Sequence, residues 1–279
     1  MSNIFITKPL SIRASASIVL YNSNINEIIK LIQNLIFSNI KCIYLIDNSI
    51  NNNKSDFNHF YNVVYLHNPS NPGFGKSHNI ALNDAIKKNF SYHFIINPDI
   101  IIPLGTINHL LNYVISDKTI GMIMPKILNL DGTIQFLPKL LPSPLQLFFR
   151  KFKYLPIINR LIVNQIELRN INSNLIYNSP ILSGCFTLLN LESITKIGLY
   201  DERYFMYFED WDLSRRIHMK YKTIYYPLVS VYHGYASGAN KNFKLFIIYL
   251  RSAFYFYNKW NWFNDINRKI INKDCLKQF

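Results

Sequence analysis

The sequence has few cysteines, and its histidines are not spaced as metal ligands, although small disulfide-linked or metal-stabilised folds depend on such residues. Its three cysteines, at positions 42, 185 and 275, lie far apart and form no C-x-x-C pair. This spacing argues against a disulfide framework or a zinc site and favours a reducing cytoplasm. The seven histidines also lack a metal-ligand spacing such as H-E-x-x-H. A disulfide-rich or zinc-stabilised fold is therefore not expected.

Long hydrophobic runs are missing as well. No apolar stretch reaches about 18 residues, and the most apolar segment, 243–263, is interrupted by Lys244, Arg251 and Lys259. The N-terminus shows no basic-then-apolar signal pattern. Because hydrophobic residues still make up 49% of the 279 residues, we expect a globular chain with a buried core.

Acidic residues are scarce, since 16 Asp and Glu stand against 30 Lys and Arg for a net charge of +14. Such an excess indicates either a generally basic surface or an anionic partner. That partner could be nucleic acid, a phosphate-bearing ligand or an acidic membrane. No basic residues group on a recognised nucleic-acid-binding motif, so we expect no nucleic-acid partner. A nucleic-acid-binding module is kept as the alternative from another class.

The first hundred residues show short apolar runs alternating with helical periodicity. Four runs predict buried strands: "ASIVLY" (16–21), "CIYLI" (42–46), "NVVYLH" (62–67) and "YHFIINPD" (92–99). Helices are predicted between them, over 25–36 and 74–89. This alternation favours a mostly parallel sheet covered on both faces, with ligands at the carboxyl ends of the strands. Those ends carry Tyr21-Asn22, Asp47-Asn48-Ser49, His67-Asn68 and Asn97-Pro98-Asp99.

The second half is less regular. "ILSGCFTLL" (181–189) is predicted to be a buried strand containing a glycine, followed by a helix. "KTIYYPL" and "SVYHGYASG" come next, and the aromatic segment 240–263 is predicted to be helical. No internal repeat or long linker interrupts the chain, so a single domain with a C-terminal appendage is preferred.

Three short stretches could carry chemistry. Asp99 is the one ionisable group between Ile95 and Ile102, at a predicted ligand-binding edge. Gly73 and Gly75 precede a helix, where they would allow close approach to a phosphate or sugar, or simply form a turn.

The third stretch, "DERYFMYFEDWD" (201–212), holds five carboxylates separated by aromatic residues. Desolvation there could raise the pKa of a general base, or the acids could complement a helix N-terminus. His233, which follows an apolar run, could be a metal ligand or a structural histidine.

Taken in order, these pieces resemble the inverting glycosyltransferases of family 2, and more narrowly their bacterial rhamnosyltransferase-like branch. The resemblance covers about residues 15–260. It is carried by "IVLYN" (18–22), "IDNS" (46–49), "NPGFGKSHNIAL" (71–82), "INPDI" (96–100), "SGCFTLLNLESITKIGLYDERYFMYFEDWDLSRRI" (183–217) and "HGYAS" (233–237).

The resemblance implies an α/β architecture of the GT-A type: a Rossmann-like, mostly parallel central sheet flanked by helices, with a C-terminal helical appendage. It implies one glycosyltransferase domain over 1–279. Residues 14–125 would form the nucleotide-sugar-binding half, 126–240 the acceptor and catalytic half, and 241–279 the helical segment.

The resemblance also implies roles for individual residues. Asp210 corresponds to the catalytic base, with Glu209 as its acidic neighbour. Asp99 corresponds to a ligand of Mg²⁺ or Mn²⁺, with His233 as a candidate second ligand and Asn97 in place of the first acid of D-x-D. Asp47 corresponds to the contact with the nucleotide base. The remaining donor-side residues are Tyr21, Asn22, Gly73, Phe74, Gly75, Asn79 and Asn97, and the acceptor side has Gly184 and Trp211.

The implied reaction moves a sugar, L-rhamnose from dTDP-rhamnose in this branch, to a saccharide acceptor linked to polyprenyl diphosphate in cell-surface polysaccharide synthesis of the O-antigen or capsule type. A UDP-hexose donor and a non-catalytic sugar-nucleotide binder are the alternatives. Catalysis would take place in the cytoplasm, on the inner face of the cytoplasmic membrane. Two basic aromatic segments would contact anionic lipid or pack in the core: 139–163, with Lys139, Arg150, Lys151 and Lys153, and 241–259, with Lys241, Lys244, Arg251 and Lys259.

Overall fold

The computed structural model describes residues 13–151, 156–234 and 243–279. In these residues one sheet is flanked by helices. Its strands are Ala14–Leu20 (β1), Cys42–Asp47 (β2), Val63–His67 (β3), Tyr92–Ile96 (β4), Ile100–Ile101 (β5), Ile120–Leu128 (β6), Tyr177–Asn178 (β7), Phe186–Asn190 (β8) and Lys222–His233 (β9). The helices are Ile25–Phe37 (α1), Phe74–Lys87 (α2), Thr106–Ser116 (α3), Pro144–Lys151 (α4), Pro156–Ile166 (α5), Leu191–Ile197 (α6), Glu209–His218 (α7), Phe243–Trp260 (α8) and Ile266–Leu276 (α9).

The sheet has the strand order β3-β2-β1-β4-β8-β6-β9-β5, and β7 also pairs with β9. β1 pairs in parallel with both β2 and β4, and β2 pairs in parallel with β3, which confirms the arrangement predicted from the first hundred residues. β8 runs antiparallel to β4 and β6. The carboxyl ends of β1, β2 and β4 therefore meet at one edge of the sheet.

The N-terminal elements form where the sequence places apolar residues between polar caps. Every residue of β2 is buried, as expected for a strand covered on both faces. In α1 the side chain of Asn24 accepts the backbone N–H of Asn26 as an N-cap, and the helix buries Ile28, Leu31, Ile32 and Leu35. Each such buried side chain contributes about 1.5–3 kcal/mol to stability.

Two strands differ from the sequence prediction. β8 begins at Phe186, because residues 183–185 form a turn in which the backbone nitrogen of Gly184 donates to a side chain instead of to a ladder. β9 is one strand of 12 residues where two separate runs were predicted. Its pairing with β6 jumps from Pro125↔Tyr226 to Lys126↔Ser230, so an irregularity accommodates the intervening residues. Residues 235–238 of the second run lie outside the described residues.

The C-terminal helices confirm the predicted helical appendage. α8 packs on the α7 region through a second apolar cluster that includes Phe208, Phe256 and Tyr257. α9 is anchored by a buried ion pair in which both guanidinium nitrogens of Arg215 bind Asp265, at 2.7 and 2.6 Å. Such a bidentate pair satisfies both charges away from water.

Several residues assigned to a membrane-facing surface are buried instead. Lys139 is 7% exposed and Leu147 is 6% exposed. Lys259 binds both Asp201 and Asp212 across the α7–α8 contact. Lys139 and Leu147 are therefore unavailable to lipid, and the ammonium of Lys259 is engaged by two carboxylates. The side chain of Lys151, and Lys153, Tyr154 and Lys241, lie outside the part of the chain that the structure describes.

No helix within the described ranges is both long enough and apolar enough to span a bilayer.

Candidate active site

Three strand ends meet at the carboxyl edge. The backbone nitrogen of Asn22, after β1, donates to Ser49 Oγ, after β2, at 2.8 Å. Tyr21 beside it is 57% exposed, so its ring is accessible. Asn22 has φ +51, a left-handed conformation that asparagine tolerates better than most residues. The two predicted donor-side residues after β1 thus lie at the expected edge.

Asp47 does not present a free carboxylate to this edge. It is fully buried. Oδ1 accepts the Ser49 backbone N–H at 2.9 Å, and Oδ2 accepts from Tyr65 at 2.6 Å and from Asn53 at 3.1 Å. The contact with a nucleotide base expected for Asp47 stays a prediction, since both of its carboxylate oxygens are bound by protein groups here. Asp47 holds the loop that follows β2.

The glycines before α2 approach protein rather than open space. A Cβ at Gly73, whose φ is +102, would lie 2.2 Å from the carbonyl oxygen of Phe205. A Cβ at Gly75 would lie 2.9 Å from the Cβ of Tyr200. The backbone nitrogen of Phe74 also donates to the Phe205 carbonyl at 2.9 Å. Close packing of α2 against the segment that carries the acids requires glycine at both positions, and their approach to a phosphate or sugar stays a prediction.

Asn79 strengthens the same contact. Its Oδ1 accepts the backbone N–H of Tyr200 at 3.0 Å, and its Nδ2 donates to the Tyr200 carbonyl at 2.9 Å. Nδ2 also lies 3.2 Å from a carboxylate oxygen of Glu202. Because the amide of Asn79 is buried and occupied by these bonds, it positions the segment before α7 instead of offering groups to a donor.

Asp99, Asn97 and His233 come together at the end of β4. Nε2 of His233 lies 3.4 Å from Asp99 Oδ1 and 3.3 Å from Asn97 Nδ2. The Asp99 side chain is 37% exposed, so it is not the isolated buried charge that the sequence suggested. Gly234 permits this approach, since a Cβ there would lie 3.5 Å from the Cβ of Asp99.

This trio fits a divalent cation that takes its remaining ligands from a diphosphate. The 3.4 Å between Nε2 and the carboxylate oxygen is close to the roughly 3 Å between neighbouring ligands of a six-coordinate ion with bonds of about 2.1 Å. Within the described residues no group of three or more His, Cys, Asp and Glu could hold a metal alone. Such a site therefore needs phosphate oxygens as well.

Gln135 is a residue that the sequence reasoning missed. Its Oε1 lies 3.0 Å from His233 Nδ1, and its Nε2 donates to the His233 carbonyl at 3.0 Å. The only local signal is the "NLDGT" turn just before it, which predicts a tight reversal of the chain. The partner lies 98 residues further along, beyond the reach of any local pattern.

The acids of α7 occupy three different environments, although all lie in its first turn. Asp212 is fully buried, and its carboxylate binds Arg216, Lys259 and the indole N–H of Trp260. Glu209 is 5% exposed, and its Oε2 has no hydrogen-bond partner among the described residues. Burial, followed by the neighbouring charge of Asp210, raises the pKa of Glu209 well above its ordinary value. Burial therefore favours the protonated form of Glu209.

Asp210 is half-buried and held by backbone donors. Its Oδ2 accepts the N–H of Gly184 at 3.1 Å, and its Oδ1 accepts the N–H of Trp211 at 2.9 Å. Burial raises the pKa of Asp210, while these hydrogen bonds and the positive charge of Lys139 oppose the rise. A carboxylate with a raised pKa that stays partly exposed is suited to accept a proton.

Lys139 is a second residue that sequence reasoning placed elsewhere. Its ammonium lies 3.3 and 3.4 Å from the carbonyl oxygens of Phe136 and Leu137. Burial, together with the nearby charge of Arg150, lowers the pKa of Lys139 to about 8. Lys139 thus places a buried cation in the electrostatic neighbourhood of Asp210.

Two consecutive residues, Gly184 and Cys185, connect Asp210 to the group formed by Asp99, Asn97 and His233. Gly184 donates to Asp210, and the carbonyl of the next residue, Cys185, accepts the backbone N–H of Asn97 at 2.8 Å. A Cβ at Gly184 would lie 3.1 Å from the ring of Phe74, so only glycine fits this junction without displacement. Asp210 and the group of Asp99, Asn97 and His233 therefore both adjoin Gly184 and Cys185.

The segment that leads into α7 is strained. Tyr207 and Phe208 have φ +69 and +68, left-handed values that cost non-glycine residues free energy. The ring of Phe208 packs 4.5 Å from that of Trp211 and 5.5 Å from that of Phe256, which holds this turn in place. Trp211, predicted on the acceptor side, is half-buried directly after Asp210.

Solved structures with the same architecture define the fold as that of GT-A glycosyltransferases. The chain matches the structure of GalNAc-T7 with UDP, GalNAc and Mn²⁺ at a TM-score of 0.60 and 18% identity, covering 81% of this chain and 44% of that one. It matches the mannosyltransferase PcManGT from Pyrobaculum calidifontis in complex with GDP-Man and Mn²⁺ at 0.52 and 15%, covering 81% and 57%.

A third structure, S. aureus TarS in complex with UDP, matches at a TM-score of 0.55 and 13% identity, over 95% of this chain and 71% of that one. The chain spans about half the length of GalNAc-T7 and of the mannosyltransferase. No protein-family model matches the sequence, and no curated protein is similar to it. At these identities the likeness concerns the fold.

Proposed function

We propose that this chain is an inverting glycosyltransferase that moves a sugar from a nucleoside-diphosphate donor to a hydroxyl of a saccharide acceptor. The observation that carries this proposal is the short link between Asp210 and the Asp99–His233 pair through Gly184 and Cys185. A proton acceptor and a diphosphate-cation site would then be joined by two consecutive residues of backbone. Attack on the anomeric carbon opposite a departing diphosphate needs both groups close together.

Asp210 is the proposed general base. Its raised pKa favours proton uptake from an acceptor hydroxyl, and the N–H groups of Gly184 and Trp211 fix the orientation of its carboxylate. Glu209 is buried and its pKa is raised, so its proposed role is to exclude water behind the base. The assignment of both acids as catalytic is thereby narrowed to Asp210. No covalent intermediate is needed.

Asp99, His233 and Asn97 are the proposed binding group for the donor diphosphate. A bound Mg²⁺ or Mn²⁺ would supply neutralisation of the charge on the leaving diphosphate. His233 and Asp99 would hold that ion, and the amide nitrogen of Asn97, which lies 3.3 Å from the same Nε2, would have to turn away to make room for it. Mn²⁺ accompanies the nucleotide in two of the matching structures, GalNAc-T7 and PcManGT, which supports this choice.

The finer assignments follow from the family resemblance. We propose family 2, with dTDP-rhamnose as first donor choice and a UDP-hexose as second. The acceptor would be a polyprenyl-diphosphate-linked saccharide used for cell-surface polysaccharide. Residues 14–125 would bind the nucleotide, with Tyr21 and Asn22 at the accessible edge, and 126–240 would carry Asp210 and the acceptor side.

The proposed membrane contact rests on part of the second basic aromatic segment, 241–259. α8 exposes a row of apolar side chains at helical spacing, with exposed fractions between 46% and 78%: Phe243, Ile247, Leu250 and Phe254. Arg251 is exposed on the same helix. An apolar row with basic neighbours is suited to the interface of an anionic bilayer. We propose that α8 places the chain on the inner face of the cytoplasmic membrane.

Asp210→Asn tests the reaction. The amide cannot take up a proton, so turnover should fall by about 10²–10⁴-fold. Donor binding should change little, because Asp99 and His233 are untouched. A panel of dTDP- and UDP-sugars, assayed for transfer and for protection against thermal unfolding, gives both readouts. Full turnover in a folded Asp210→Asn protein would exclude Asp210 as the base. Protection by no nucleotide sugar would exclude the donor class.

A further inference from the structure

We infer that Gln135 is a positioning residue that holds His233 in the tautomer with its proton on Nδ1, so that the Nε2 lone pair faces Asp99. This inference rests on the proposed donor site, because the cation that such a lone pair would bind belongs to that site. It follows from a chain of hydrogen bonds in which each donor is fixed by the one before it.

The series of hydrogen bonds begins at Asp131. The hydroxyl of Thr133 donates to its Oδ1 at 2.6 Å, and the Thr133 backbone N–H donates to the same oxygen at 2.9 Å. These bonds hold the pKa of Asp131 below its ordinary value, so the carboxylate is ionised and can only accept. The hydroxyl proton of Thr133 is thus committed to Asp131. Any further bond at Thr133 Oγ1 must be one that it accepts.

Asn129 makes that further bond. Its Nδ2 donates to Thr133 Oγ1 at 2.8 Å, which fixes the orientation of the amide. Asn129 Oδ1 then accepts from Gln135 Nε2 at 2.7 Å. The same Nε2 donates to the carbonyl of His233 at 3.0 Å, and a carbonyl can only accept. Two independent acceptors therefore identify which end of the Gln135 amide is nitrogen.

The remaining end of Gln135 is its Oε1, which lies 3.0 Å from His233 Nδ1. Because this oxygen can only accept, Nδ1 must carry the proton. In a neutral imidazole the lone pair is then on Nε2. That atom lies 3.3 Å from Asn97 Nδ2, a donor that suits a lone pair on Nε2, and 3.4 Å from the Asp99 carboxylate, a separation that a cation replacing the Asn97 contact would bridge. A fixed tautomer of this kind is how outer residues commonly prepare a histidine ligand.

A tight turn of the backbone places the residues of this hydrogen-bond series. The backbone nitrogen of Asn129 donates to the Thr133 carbonyl at 2.7 Å, and Gly132 supplies the left-handed φ of +83 that the reversal requires. After the turn the backbone nitrogen of Gln135 donates to the Ile127 carbonyl at 2.9 Å, which places its side chain beside the end of β9. The turn thus serves as a rigid support for His233.

The test is nuclear magnetic resonance of the full chain labelled with ¹⁵N in its histidine rings. Ring nitrogen shifts distinguish the two neutral tautomers and the imidazolium, and His233→Asn assigns the His233 signals by their loss. The wild type is expected to show the Nδ1–H tautomer. Gln135→Leu should lose this preference. Gln135→Glu keeps an acceptor for the Nδ1 proton but places its second oxygen against Asn129 Oδ1 and the His233 carbonyl, so it should restore the preference in part. Gln146→Leu is the control, since Gln146 is an equally half-buried glutamine whose Oε1 caps Ser143.

A second readout is the affinity for Mn²⁺ in the presence of UDP or dTDP, measured by electron paramagnetic resonance. Gln135→Leu should weaken it about 10- to 100-fold, with partial recovery in Gln135→Glu. An Nε2–H tautomer or imidazolium in the wild type, or an unchanged Nδ1–H tautomer in Gln135→Leu, would overturn the inference. If the tautomer behaves as expected but the wild type binds no Mn²⁺ with either nucleotide, the proposed donor site fails and the assignment of Gln135 stands.

Discussion

The backbone nitrogen of Gly184 lies 3.1 Å from Oδ2 of Asp210 and donates a hydrogen bond to it. This bond ties the first residues of α7 to the turn before β8, which in turn accepts the N–H of Asn97. The position and the basicity of Asp210 therefore depend on groups outside α7. One of these groups is Lys139, whose positive charge acts on Asp210.

The pH dependence of transfer should report on Lys139. Its positive charge lowers the pKa of Asp210, so Lys139→Met should raise that pKa and leave the base protonated up to a higher pH. The acidic limb of the kcat/KM profile should then move to higher pH. Lys118→Met, at an exposed lysine, is the matched control and should leave the limb in place. If the acidic limb of the profile does not move in Lys139→Met, the charge of Lys139 does not influence the pKa of Asp210.

Metal dependence should be confined to the Asp99 site. EDTA should abolish transfer, and Mg²⁺ or Mn²⁺ should restore it. In Asp99→Ala the nucleotide should bind with the same affinity with and without metal, because a carboxylate ligand is lost. Calorimetric titration of the nucleotide on both proteins measures this, and Asp117→Ala, at an aspartate that binds Lys222 on the surface, serves as control. Donor affinity that ignores EDTA in the wild type would remove Asp99 from metal binding.

Acid should destabilise the protein through two buried histidines. His93 lies between two hydroxyls, with Nδ1 2.7 Å from Ser15 Oγ and Nε2 2.7 Å from Ser17 Oγ, and Ser17 Oγ is also 2.7 Å from Nδ1 of His78. Burial lowers the pKa of His93 to about 3, and lowers that of His78 well below its ordinary value. Both rings are neutral in the folded protein.

The unfolded chain binds more protons than the folded one between about pH 6.5 and pH 3. The free energy of unfolding should therefore fall as the pH falls through that window, by up to about 1.4 kcal/mol per pH unit for each histidine. Urea titrations at pH 7 and pH 5 measure the loss. It should shrink in His93→Asn and stay the same in His59→Asn, at an exposed histidine. Equal losses in both variants would contradict a role for His93.

Membrane binding should depend on α8. Leu250→Glu removes an apolar contact worth about 1.5–3 kcal/mol when buried, so binding to acidic liposomes should weaken tenfold or more. Binding of the wild type should also weaken as salt rises, because exposed charges are screened. Leu228→Glu, at a leucine that is 65% exposed on β9, is the control. Equal loss in both variants, or equal binding to neutral and acidic vesicles at every salt concentration, would rule out α8 as the contact.

The sequence predicted best those strands and helices that are determined by residues close together in the sequence. β1, β2 and β4 are apolar runs that end in asparagine, aspartate or serine, and their burial follows from composition alone. The acids of α7 were found because five carboxylates in one short stretch stand out in a basic chain. Their separate environments were not predictable, because Lys259 and Trp260, which bind Asp212, come from α8.

What the sequence could not indicate depends on contacts between distant residues. The carbonyl of Phe205 explains Gly73, and no pattern near position 73 contains that information. Lys139 looks like a surface residue of a basic aromatic segment, yet the fold buries it. Gln135 is unremarkable in sequence, and only the arrival of β9 beside the turn gives it His233 as a partner.

The antiparallel pairing of β8 with β4 has a consequence for synthesis on the ribosome. The first four strands can associate as soon as residue 96 has emerged, since they are adjacent and parallel. β4 then waits with an open edge until residues 186–190 arrive. During that interval its backbone N–H and C=O groups form an unpaired edge flanked by apolar side chains, the feature most prone to join another chain. Premature termination within this interval should therefore yield aggregating fragments, and slow translation there should lower the yield of soluble protein.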